Sequence, residues 1–128
     1  MPTSPVHSAD VIPLSTEDRA ILDLECATVA GHTCKVVLLG TPAPTVEQLH
    51  ELIGSRIEAA QMLKVVLSGE GAERVWVPDR AFDVRRHVAS VPGSAIDEAG
   101  LPGVVTTLFE QRLPRDRPLW RIDIVRIE

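Results

Sequence analysis

The side chains with chemistry to offer are few: four histidines (His7, His32, His50 and His87) and two cysteines (Cys26 and Cys34). No histidine has a partner at metal-ligand spacing, and there is no paired Cys-x-x-Cys, so no metal site is predicted. Cys26 and Cys34 bracket His32, a thiol or zinc arrangement in outline, but two buried cysteines behaving as small apolar residues is the expectation. His50 falls on a helix and is expected at the surface. His87 follows Arg85 and Arg86, which predicts a surface or loop position, with a hydrogen-bonded structural role as the next choice. No Gly-x-Ser-x-Gly elbow, phosphate loop or dinucleotide glycine pattern is present. Asp79, Asp83 and Asp116 are not spaced as a catalytic carboxylate pair. From the residues alone no catalytic, cofactor-binding or metal site is assigned. The Arg115-Asp116-Arg117 cluster between Pro114 and Pro118 is read as a turn held by charge-assisted hydrogen bonds, with Trp120 anchoring it.

The elements that position these residues follow from periodicity and capping. Ser15 and Asp18 have N-cap box spacing, with Asp in place of Glu, ahead of a helix over about Thr16 to Cys26 whose apolar face is Ala20, Ile21 and Leu24. Thr33 to Leu39 is aliphatic and β-branched and predicts a strand. Its continuous end, Val36-Val37-Leu38-Leu39, suggests burial on both faces. Thr45 and Gln48 form a capping box for the clearest helix, with Val46, Leu49, Ile53 and Ile57 at helical spacing and Glu47, Glu51, Arg56 and Glu58 toward solvent. Leu63 to Leu67 and Arg74 to Val77 read as a hairpin joined through Ser68-Gly69-Glu70-Gly71. Phe82 to Val88 is extended or irregular. A helix is predicted over about Pro102 to Leu113, with Pro in its first turn, and a last strand over Arg121 to Ile127. The order is α, β, α, β, β, α, β, an α+β or mixed α/β unit. Residues 1–11 are expected to be a flexible tail, and residues 12–128 one subdomain.

Composition bounds the rest. The 128 residues carry 13 Lys+Arg against 18 Asp+Glu, a net charge of −5, which argues against nonspecific nucleic-acid binding. No apolar run approaches the ~18 residues a membrane span needs. The first residues do not form a secretory signal. Two cysteines make no disulfide framework, and a reducing cytoplasm is the expected compartment. There are only four aromatic residues, Trp76, Phe82, Phe109 and Trp120, so the core must be aliphatic.

Three motifs and one lone histidine, in order, carry a family resemblance. Leu14-Ser15-Thr16-Glu17-Asp18-Arg19-Ala20-Ile21-Leu22, with Glu25 following, resembles a Leu-Ser-x-x-Asp-x-x-Phe/Leu-Leu-x-x-Glu opening. His32 matches the histidine of a Met-His step before the first strand. Trp76, Asp79, Phe82, Asp83 and His87 fit Trp-x-x-Asp-x-x-Phe-Asp-(apolar)-x-x-His-Val. Leu113-Pro114-Arg115-Asp116-Arg117-Pro118-Leu119-Trp120 is similar to Leu-Asp-Arg-x-Arg-Pro-Leu-Trp. Together they resemble the bacterial wax ester synthase/diacylglycerol acyltransferase family, over about Ile12 to the end.

The resemblance implies the N-terminal part of a CoA-dependent acyltransferase, with a condensation-domain-like two-layer fold in which two similar halves enclose a channel. Its motif residues Asp18, Glu25, Trp76, Asp79, Phe82, Asp83, His87, Arg115, Arg117, Pro118, Leu119 and Trp120 are expected to be structural. Acyl-CoA is the implied co-substrate, with no resident cofactor. A long-chain alcohol or diacylglycerol is the implied acceptor, once a C-terminal part completes the domain. In the family a His-His-x-x-x-Asp-Gly motif supplies the general base, and the 128 residues contain no His-His pair. Pro114 replaces the family's Asp, Ile21 its Phe and Gly31 its Met, and only Lys64 is basic where a Pro–Arg-rich step is usual. These departures and the stop at Glu128 lead to the expectation of an incomplete subdomain, inactive alone. The alternatives are a non-catalytic acyl-binding module, one that pairs with a protein partner through exposed strand edges, or an unrelated α+β domain. Lipid substrates would add peripheral contact with membranes or lipid droplets to the expected cytoplasmic location.

Overall fold

The computed structural model describes residues 10–128. In chain order the elements are β1 (Ile12–Pro13), α1 (Thr16–Leu24), α2 (Val46–Arg56), β2 (Val65–Ser68), β3 (Val75–Pro78), β4 (Val88–Ser90), α3 (Leu101–Glu110) and β5 (Ile122–Ile124), with short 3-10 turns between them. The fold is α+β. The chain divides into two compact units. The first takes the described residues up to Gly31, Ala60–Phe82 and Pro114–Leu119. The second takes His32–Ala59, Asp83–Leu113 and Trp120–Glu128.

The first unit is built on an antiparallel sheet in the order β1-β3-β2. The predicted hairpin is present, with Val66 opposite Val77 and Leu67 opposite Trp76. Its connection depends on glycine. Gly69 has φ +86°, and a Cβ there would stand 2.7 Å from the Glu73 carbonyl oxygen, so the turn excludes other residues. On the other side of β3, Ile12 pairs with Trp76. Ser15 caps α1 as predicted, its Oγ accepting from the Asp18 amide at 3.0 Å. The helix stops at Leu24 rather than Cys26, because Glu25 is extended. Its expected apolar face is not buried: Ala20, Ile21 and Leu24 are all exposed. Leu14 and Val65 are the buried aliphatic residues of this unit.

The second unit places α2 and α3 with a parallel pair, β4 and β5. The Thr45 capping box is complete: Thr45 Oγ1 accepts from the Gln48 amide at 3.1 Å, and Gln48 Oε1 accepts from the Thr45 amide at 2.9 Å. Ile57, at the end of the predicted apolar face, is buried. Val88 pairs with Ile122 and Ser90 with Ile124, and a bridge between Ile96 and Ile127 prolongs the pairing. The last strand is thus shorter than the Arg121–Ile127 expected, and β4 begins at Val88, the last residue of the segment expected to be extended or irregular. Val88 is the most deeply buried aliphatic residue described. Pro102 sits in the first turn of α3, which ends at Glu110.

The largest departure is Thr33–Leu39. It forms no strand, and Val36, Val37, Leu38 and Leu39 are 54, 75, 63 and 61% exposed. A continuous aliphatic run reports affinity for a core without supplying one, and within the described residues no strand pairs with it. The expected buried cysteines are also corrected: Cys26 and Cys34 are both exposed thiols. His7 and most of the expected tail lie outside the described residues. Asp10, next to them, pairs with Arg80 at 3.7 Å.

Candidate functional site

In the first unit the motif residues meet in pairs. Asp18 does not close the capping box at α1. Its Oδ2 instead accepts from Trp76 Nε1 at 3.2 Å, tying helix to sheet. Glu25, just past the end of α1, forms an ion pair with Arg115 of the Pro-bounded turn. Its Oε1 also accepts from the Gly31 amide at 3.0 Å. The predicted turn is therefore held by Glu25 as well as by Asp116, whose Oδ1 accepts from Arg117 Nε at 3.1 Å. The adjoining Pro118 is fully buried and Leu119 half-buried. Arg74, not singled out from the sequence, pairs with Asp23 on α1.

Asp79 closes the β3 end. Its amide donates to the Lys64 carbonyl at 2.8 Å, and its Oδ1 accepts from the Ala81 amide at 3.0 Å. Phe82 is half-buried, with the Lys64 ammonium 5.9 Å from its ring centroid. That is the outer limit of a cation–π contact.

In the second unit Asp83 starts a 3-10 turn, its Oδ1 accepting from the Arg85 amide at 2.9 Å. The turn delivers His87 into the interior, where it is 1% exposed. The surface expectation for His87 is therefore corrected: Arg85 and Arg86 face solvent, and the next residue turns inward. The His87 ring stacks on Trp120 with centroids 4.5 Å apart and planes 20° apart. Nδ1 lies 2.9 Å from the Trp120 carbonyl oxygen. A carbonyl only accepts, so Nδ1 carries the proton of this bond.

The other described histidines make the same kind of bond. His32 Nε2 donates to the Phe109 carbonyl at 2.6 Å, with its ring edge-on to the phenyl ring. His50, expected at the surface, is half-buried and donates from Nε2 to the Val88 carbonyl at 2.6 Å, fastening α2 to β4. Sequence reasoning missed these two contacts, since each partner is a backbone carbonyl far along the chain. Arg121 was also missed: it donates to Asp123 Oδ2 at 2.8 Å and to the Leu108 carbonyl at 3.0 Å, joining β5 to α3.

An open depression of the second unit is lined by Glu47, His50, Glu51, Val84 and Arg85. It groups two carboxylates and one arginine with a histidine whose Nε2 donates to the Val88 carbonyl. Among the described residues no group of three or more His, Cys, Asp or Glu side chains could hold a metal ion. No helix among them is long and apolar enough to cross a membrane. The contacts of these polar side chains are to backbone groups and to one another, and they tie turns to the elements around them.

Comparison with known proteins shows the family. Residues 14–126 match the wax ester synthase/diacylglycerol acyltransferase catalytic domain, and the chain belongs to this family. It is similar to the probable diacyglycerol O-acyltransferase tgs3 of Mycobacterium tuberculosis, in strains CDC 1551/Oshkosh and ATCC 25618/H37Rv. Identity is 29% over 126 residues, which covers 90% of this chain and 45% of the relative. The chain thus spans less than half the length of these relatives. No solved structure matches.

Proposed function

We propose that this chain is the N-terminal part of an O-acyltransferase that transfers an acyl group from acyl-CoA to a long-chain alcohol or diacylglycerol. The acceptor hydroxyl oxygen attacks the thioester carbonyl, the C–S bond breaks, and the hydroxyl proton passes through a general base to the departing CoA thiolate. A positioned base is worth about 10²–10⁴ in rate. The family's His-His-x-x-x-Asp-Gly motif would supply it from residues outside these 128. The segment described here would contribute scaffold and channel wall. The observation that carries this division of labour is that residues 14–126 match the family's catalytic domain while covering 45% of the relative's length, with no His-His pair among the 128 residues.

The test is ester formation from labelled acyl-CoA with hexadecanol or diacylglycerol, using the protein purified from its own cells and the 128-residue chain produced alone. Ester and free CoA are expected from the first and not from the second. Ester from the isolated chain would overturn the division, and none from either would overturn the activity.

A further inference from the structure

Val36–Leu39 is an aliphatic run with an unmet demand for burial. The four residues are 54, 75, 63 and 61% exposed and lie outside every strand described. In an extended chain Val36 and Leu38 would face one side, Val37 and Leu39 the other. Both sides are equally apolar. An edge strand with one wet face reads as alternating; this run reads as an interior strand with a neighbour on each edge and packing on both faces. The two-stranded sheet β4–β5 of the same unit leaves it unpaired. The run also lies within the stretch matched to the catalytic domain, so it is part of the domain and not an appendage.

Resting on the acyltransferase reading above, we infer that Thr33–Leu39 is a latent interior strand, the seam by which this chain docks the remainder of the catalytic domain. Its occupant is polypeptide carrying the portion of the family domain that lies beyond the 45% of the relatives' length spanned here. That polypeptide must offer an open strand edge and an apolar layer. A lipid surface fits less well, because four aliphatic residues offer little to insert and the net charge of −5 is repelled by anionic headgroups. Exposed strand-forming residues otherwise invite nonspecific pairing, so the seam must be covered in the working protein.

The experiment is amide hydrogen exchange over residues 33–40, followed by mass spectrometry. The protein is isolated without denaturation from its own cells, and the 128-residue chain produced alone is the reference. Exchange at Val36–Leu39 is expected to be at least about 100-fold slower in the native protein, in a species heavier than 13.9 kDa. Leu38→Pro removes a ladder donor at a site that forms no strand in the isolated chain, so it should abolish the protection. Leu38→Ala, which keeps the amide, should retain it. Exchange of the β2–β3 hairpin reports whether each variant is folded. Equal exchange in both proteins overturns the inference, as does protection that arises only in homo-oligomers of this chain or only on phosphatidylcholine/phosphatidylserine vesicles. The readout needs no catalysis: protection without ester formation keeps the seam and discards the activity, and ester formation without protection does the reverse.

Discussion

His87 lies flat against Trp120, its Nδ1 proton given to the carbonyl of the same residue it stacks on. The two are the ends of separate family motifs, and this double contact joins them. The adjoining backbone bond, from the Ile122 amide to the His87 carbonyl at 2.7 Å, starts the β4–β5 ladder at that point. The histidine thus fills space, satisfies an acceptor and sets the register of a parallel pair.

Removing it should be costly. His87→Ala opens a cavity and leaves the Trp120 carbonyl without its donor, an expected loss of about 2–4 kcal/mol. His87→Phe keeps the stack and loses the donor to the Trp120 carbonyl, about 1–3 kcal/mol. Urea unfolding with an unchanged slope would measure both. An alanine variant as stable as the parent would refute the structural role.

The bond from Trp76 to Asp18 should be worth about 1 kcal/mol. Trp76→Phe and Asp18→Ala are expected to destabilise the chain singly and to show coupling in a double-mutant cycle. Strictly additive losses would mean the pair contributes nothing as a pair.

Glu25 accepts from the Gly31 amide and pairs with Arg115, and its removal should cost more than removal of Arg115. Glu25→Ala is expected to cost about 1–3 kcal/mol, since the Gly31 amide loses its acceptor. Arg115→Ala should cost under about 1 kcal/mol, because its side chain is 45% exposed and the pair is screened. Gly31→Ala places a Cβ 2.7 Å from Ile21 Cγ2 and 2.9 Å from Glu25 Oε1, which overpacking makes unfavourable by about 1–3 kcal/mol. Thermal melts of the three variants test these values, and a larger loss for Arg115→Ala than for Glu25→Ala would overturn the order of those two.

Thr45→Ala should lower stability by about 1 kcal/mol through loss of the cap on α2, while Thr45→Ser is expected to be nearly neutral. Denaturant midpoints decide between this and a helix held by tertiary contacts alone, for which both variants would match the parent.

What the sequence disclosed was whatever depends on near neighbours. The Thr45–Gln48 box, the hairpin through Gly69 and the proline at the start of α3 each rest on residues within a few positions of one another. The three family motifs and His32 were legible for the same reason. The environment of His87 was not, because the arginines before it signal surface while its partner lies in another motif. The strand β4 was missed because three residues carry little pattern and their partner is remote. Val36–Leu39 was misread as a formed strand because apolarity records what a segment needs, not whether a partner is at hand. The cysteines were misplaced likewise, since a frequency of burial says nothing about a particular loop.

The parallel pairing of β4 with β5 has a consequence for how the chain is made. Val88 leaves the ribosome well before Ile122, with α3 still to be synthesised between them. Until that later strand emerges, His87 has no indole to lie on, Val88 has no ladder, and the nascent chain must hold its most buried residues uncovered. The second unit therefore matures only after residue 124 has cleared the ribosome, and a nascent chain stalled before then exposes the segment that β5 would cover.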